Sequence, residues 1–173
     1  MKRVYLVIST LLLASLTSAS LIWSTPRLLA QGQASTDMLA TATVMRKCVV
    51  TTSPMNFGEY DPVSANARVP LDGQAVVTVA CTKGTVVNIG IDDGANASGA
   101  TRRMVFGTTY LPYELFQDIS RTMRWGNTAT DGLDGGIAPS RDPHLFTLYG
   151  RVPAAQDVPG GAFQDTVIVT VNF

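Results

Sequence analysis

An all-β sandwich or barrel is the fold this sequence predicts, and three observations predict it. Short segments rich in Val, Ile, Thr and aromatic residues alternate with clusters of turn residues from about residue 40 to the end. Within several of these segments the apolar side chains recur at every second position, the period of a strand with one buried face. No heptad, internal repeat or low-complexity tract is present, and the one helix-like stretch, residues 117–123, lacks an apolar stripe.

The elements follow in order. Met1, Lys2 and Arg3 form a short positive start, residues 4–16 are rich in Leu, Val and Ile, and the small residues Thr17, Ser18 and Ala19 follow. This is the pattern of a secretory signal peptide, with a cut after residue 19 or after residue 30. The apolar run is shorter than the roughly 20 residues that span a bilayer. Residues 31–45 form a tail ahead of a domain covering 46–173. Residues 40–50 read as a first strand or as two strand pieces run together. Residues 74–82 place Ala75, Val77, Val79 and Cys81 on one side, and residues 86–92 do the same with Val87, Ile89 and Ile91. Residues 110–116 are a further strand, which Pro112 confines to an edge or to a late start. Residues 145–149 are another. Residues 166–173 end the chain with Val167, Val169, Val171 and Phe173 on one face. Residues 92–99 and the Gly-rich residues 126–139 read as loops.

Composition narrows the function. The chain has 173 residues, 46% of them hydrophobic, which suits one domain with a proper core behind a targeting segment. Thirteen basic side chains balance thirteen acidic ones, so no electrostatic footprint for nucleic acid exists. His144 is the sole histidine, no nucleophile motif accompanies it, and the chain is read as not an enzyme. Cys48 and Cys81 are the only cysteines; with one histidine and no Cys-x-x-Cys spacing they do not read as a metal site. No cofactor is expected. In an exported chain an even cysteine count suggests a disulfide, with two buried thiols or an intermolecular bridge as alternatives. Asp92, Asp93 and Asn96 faintly suggest a calcium loop, but Arg103 stands where an acidic twelfth ligand is needed. Trp125 and Tyr113 read as core aromatics ahead of a sugar-stacking surface.

Six or so strands are one short of an immunoglobulin-like sandwich. A missing strand would leave an apolar groove and unpaired backbone groups at a sheet edge. The tail, meanwhile, has no hairpin partner. A spare strand at one end and a deficit at the other suggest exchange between subunits.

Four ordered stretches carry a family resemblance: Cys48-Val49-Val50 with residues 55–62 (MNFGEYDP); residues 77–82 (VTVACT) with 88–92 (NIGID); residues 97–99 (ASG) and 101–104 (TRRM) with 113–118 (YELFQD) and 121–126 (RTMRWG); and residues 149–156 (YGRVPAAQ) with 158–159 and 165–173. The chain resembles the spore coat protein U domain family, whose members include pilus subunits of the archaic chaperone–usher pathway. The resemblance implies an incomplete immunoglobulin-like β-sandwich completed by a donor strand from another chain, and a Cys48–Cys81 disulfide. It also implies export through the periplasm to a cell-surface fibre. Its partners would be a periplasmic chaperone, an outer-membrane usher and neighbouring pilus subunits, joined by β-strand addition. Under this resemblance the donor strand lies within residues 35–44, with Met38, Ala40, Ala42 and Val44 as the more apolar phase. The acceptor groove is lined by Val167, Val169, Val171 and Phe173. Arg46 and Lys47 interrupt the alternation before Cys48. The function expected is therefore a structural fibre subunit. A minor or tip subunit binding a surface ligand is the alternative from another class, disfavoured by the short tail before Cys48. A protective spore or cell coat protein shares the fold.

Overall fold

The structure, a computed structural model, describes residues 32–173. The signal-peptide reading of residues 1–30 lies outside the described residues. The chain divides after Thr41 into two units. In the first, residues 32–41 are exposed and form no strand. The second, Ala42–Phe173, carries the sandwich.

Eight strands build it: β1 (Cys48–Thr52), β2 (Leu71–Cys81), β3 (Val86–Ile91), β4 (Arg102–Phe106), β5 (Thr109–Phe116), β6 (Leu133–Ile137), β7 (His144–Val152) and β8 (Val169–Asn172). They form two antiparallel sheets, ordered β1-β2-β7-β5-β4 and β6-β3-β8. The period-two pattern decides which side chains face inward. Ala75, Val77, Val79 and Cys81 from β2 are buried, as are Val87, Ile89 and Ile91 from β3 and Leu111, Tyr113 and Leu115 from β5. Trp125 is fully buried among them, and its indole N–H donates to the Ile89 carbonyl at 2.8 Å.

Several expectations are corrected. Residues 40–47 are exposed coil, and β1 starts only at Cys48, where β2 first offers a backbone partner. Two strands were not foreseen. β4 opens with two arginines, and β6 lies inside the Gly-rich stretch read as a loop. Glycine is what admits β6: a Cβ at Gly135 would lie 3.0 Å from Val87 Cγ1, and Gly136 takes φ 69° where the β3–β6 register shifts at Val87/Asn88. Residues 117–123 are a turn. The Asp118 carboxylate accepts the Met123 N–H at 2.7 Å and the Thr122 N–H at 3.0 Å, and Arg121 adopts φ 56°. Pro112 is accommodated because its half of β5 pairs only with β4, while residues 114–116 pair with β7.

A disulfide within one sheet and an arginine network between the sheets fasten the strands. Cys48 and Cys81 face each other in the β1–β2 register and are disulfide-bonded, which settles the alternatives left by the cysteine count. Arg102, fully buried, is ion-paired with Glu114. Its other guanidinium N–H groups donate to the carbonyls of Asp92, Ile91 and Trp125, each at 2.8 Å. Arg124 pairs with the same Glu114 at 3.0 Å, with Asp131 at 2.9 Å and with Asp93. Every guanidinium nitrogen of Arg102 therefore has a partner, as burial of a charge demands.

Arg102→Met should leave three carbonyls without their donor and Glu114 with Arg124 as its one remaining ion-pair partner, lowering unfolding free energy by about 3–5 kcal/mol. Denaturant titration checks this, and a loss under about 1 kcal/mol would contradict the network's role. Reducing the disulfide should cost roughly 3–4 kcal/mol for a loop of this length, read in the same titration with and without reductant.

Candidate strand-binding groove

β1 ends one sheet and β8 ends the other; each has one strand partner among the described residues. Behind these two edges the core is not closed. Val50, Met55, Phe57, Phe163, Val167, Val169 and Val171 pack against the buried cluster, yet each stays only half-buried. The opening holds two cavities of about 770 and 390 Å³ that share Met55, Phe57, Met104 and Phe163 as lining. Leu71, Leu111 and Val152 line the wider half, and Ala75, Val77, Leu115 and Leu148 the narrower. The result is an apolar groove running alongside a strand edge with free backbone groups.

One lip, residues 53–62, is seated by a pair of glycines. Gly73 and Gly150 face each other across β2 and β7. A Cβ at Gly150 would come within 2.7 Å of the Phe57 ring, and one at Gly73 within 2.9 Å. Their bare backbones are the flat seat on which Phe57 rests, its edge toward Tyr113 with ring centres 5.9 Å apart. Farther along, the Tyr60 hydroxyl donates to the Pro153 carbonyl at 2.9 Å and accepts the Gln156 N–H at 3.0 Å. Buried Asn66 bridges the Asp61 N–H and the Val69 carbonyl. The Asp61 carboxylate accepts from the Ser64 hydroxyl and from the Ser64 and Val63 amides, which hold its pKa down at about 2. It therefore stays charged across the physiological range. Its stabilising bonds are complete above the ordinary carboxylate pKa and are lost as pH falls through about 2.

The other lip, residues 158–168, is held by backbone and carboxylate bonds. Gln164 and Val105 exchange backbone hydrogen bonds at 2.8 and 3.1 Å, and Phe163 packs on Phe106 with ring centres 5.7 Å apart. Asp165 accepts the Tyr113 hydroxyl at 2.7 Å and the Asn96 side-chain N–H at 2.8 Å. Burial and the neighbouring carboxylate push the Tyr113 phenol well above its usual pKa. Asp92 accepts the Ile168 N–H at 2.8 Å, so β8 is delivered to β3 in a defined register.

Val167 and Val169 line the narrower cavity, Val171 packs against the core without lining either cavity, and Phe173 lies beyond β8 and is 58% exposed. Met38 and Ala40, in the first unit, are exposed and outside any strand; so are Ala42 and Val44, in the second. Sequence reasoning missed Met55, Phe57, Met104 and Phe163, which line the groove from segments without a two-residue period. The remaining sites have structural explanations. Trp125 and Tyr113 are buried and present no stacking surface. Asp92 and Asp93 are engaged by protein donors. The His144 Nε2 is buried without a partner beside a cavity of about 30 Å³ that Val79, Cys81 and Phe146 help line.

An open-edged β-sandwich with this groove defines the class, and comparison with known proteins agrees. The chain matches the Spore Coat Protein U domain over residues 34–170 and belongs to that family. It is 38% identical over 130 residues to Protein U of Myxococcus xanthus, covering 69% of this chain and 71% of that protein. Among solved structures it resembles a chain of the CsuC–CsuE chaperone–tip adhesion subunit pre-assembly complex, from archaic chaperone–usher Csu pili of Acinetobacter baumannii. The TM-score is 0.56 at 26% identity, covering 76% of this chain. The match spans 40% of that chain's length.

Gly150→Val should dislodge the Phe57 ring from its seat and cost about 1–3 kcal/mol, the range for overpacking a tight contact. Denaturant titration measures it, and an unchanged midpoint would contradict the glycine seat.

Proposed function

We propose that this chain is a structural subunit of a surface fibre, exported through the periplasm and polymerised by donor-strand exchange. The observation that carries the proposal is the half-buried apolar groove between two free sheet edges, in a chain with an exposed tail of alternating pattern. An edge of this kind pairs with another strand unless it is blocked. A strand laid against β8 would gain main-chain hydrogen bonds, and its alternate side chains would enter the groove. A periplasmic chaperone supplies that strand first. At an outer-membrane usher the tail of the next subunit replaces it. Met38, Ala40, Ala42 and Val44 face the groove in that exchange, and Val167, Val169 and Val171 receive them. Phe173 borders the far end of the groove. Membership of the Spore Coat Protein U domain family, and likeness to a chain from a chaperone–subunit complex, support this reading.

Coexpression with chaperone and usher tests it. On SDS gels the fibre reading requires a ladder that survives detergent and collapses to one band on boiling; a single monomer band in both lanes would overturn it. Deleting residues 31–44 should spare chaperone binding and stop polymer growth, and normal growth would remove the tail as donor. Val169→Asp should weaken both complexes, because a carboxylate would be buried there without a partner. Unchanged complexes in pull-downs would remove Val169 from the groove.

A further inference from the structure

Of the four side chains that line both cavities of the groove, two are methionines, Met55 and Met104. Met55 belongs to the lip at residues 53–62. Met104 belongs to β4, whose Val105 bonds the other lip. Both pack against the core yet stay half-buried. Leucine at these places would be inert. A thioether is not, because a mild oxidant turns it into a polar sulfoxide.

The Met55 sulfur has a defined place. It shares the glycine seat with Phe57: a Cβ would come within 3.0 Å of it at Gly150 and within 3.1 Å at Gly73. Contact with those backbones leaves an added oxygen no room on the seat side, so the oxygen would project into the groove. Phe57, Met104 and Phe163, which line both cavities with Met55, offer it no hydrogen-bond donor. In the open groove water satisfies such an oxygen. Under an inserted strand the water is displaced, and a polar group left without a partner there is costly.

We propose that Met55 and Met104 make the groove an oxidation-sensitive gate: hydrogen peroxide converts them to sulfoxides while the groove is empty, and a subunit so modified takes up a strand poorly. A sulfur lone pair attacks one peroxide oxygen, and an S–O bond forms as the O–O bond breaks. The departing oxygen takes the proton of the transferred one and leaves as water. Sulfur is oxidised, peroxide is reduced, and no other reactant enters. An inserted strand covers both sulfurs, so modification is confined to subunits not yet assembled. The gate rests on the fibre reading and gives its groove a chemical control. Met123, 56% exposed in the turn at residues 117–123, lines neither cavity and serves as an internal reference.

The test treats the isolated full chain and the assembled fibre with hydrogen peroxide and reads each methionine by peptide mass spectrometry. Relative to Met123, Met55 and Met104 should oxidise about tenfold faster in the subunit than in the fibre. Once the peroxide is removed, an unoxidised peptide of residues 31–45 should bind the treated subunit about tenfold more weakly than the untreated one. Met55→Leu with Met104→Leu, a swap that conserves volume, should bind the peptide equally before and after treatment, whatever its own affinity. Equal oxidation in subunit and fibre would overturn the gate and leave the fibre reading standing. So would undiminished binding by a subunit whose Met55 and Met104 are sulfoxides, or a leucine variant that loses as much on treatment as wild type. If the leucine variant does not fold, the wild-type measurements decide alone. An untreated wild-type chain that binds no peptide and forms no fibre would overturn the fibre reading and the gate with it.

Discussion

A β-sandwich excludes water only where its two sheets are closed over each other, and in this chain the closure stops between β1 and β8. Everything distinctive about the molecule depends on that gap. The apolar side chains are in place on both sides of it, from Val50 and Phe57 to Val167, Val169 and Val171, but each is left half in water. Burying such side chains contributes on the order of 25 cal/mol per Å² of apolar surface. A strand entering the gap would gain that term together with backbone hydrogen bonds. On the fibre reading proposed above, part of the core is supplied from outside.

An open core needs rigid lips, and the polar residues of the domain provide them. Tyr60 and Asn66 anchor one lip to the residues after β7, and Asp61 holds the turn between them. Asp165 and Asp92 anchor the other to β5 and to the loop after β3. Arg102 and Arg124, sharing Glu114, lock the end of β3 to β4, β5 and residues 124–131. The disulfide fixes β1, an edge strand with a single partner, at the point where the tail leaves the domain. These groups hold the groove open as a shaped site and oppose its collapse.

The sheets were legible in the sequence where burial follows the two-residue period. β2 and β3 show it plainly, and their inward residues are those the alternation names. β4 was hidden because Arg102 and Arg103 open it, and a buried arginine is visible only through partners distant in sequence. β6 was hidden because its glycines, which read as loop, are what let it approach β3. Residues 40–47 were read as strand because Ala, Thr and Val alternate there, yet a strand exists only where another backbone accepts its hydrogen bonds. Half of the groove was legible in β8. The other half comes from irregular segments: the Gly73–Gly150 seat and Tyr60 place Met55 and Phe57, the Gln164–Val105 bonds place Phe163, and no local pattern announces them.

On the fibre reading, β8 is an acceptor edge that a strand from another chain completes. Amide hydrogen exchange compares the two states directly, because a backbone N–H on an open edge exchanges freely and one in a ladder does not. The β8 amides that face away from β3 should exchange rapidly in the isolated subunit and become protected by orders of magnitude in the assembled fibre, along with alternate amides of residues 35–44. Unchanged β8 exchange between subunit and fibre would contradict that reading.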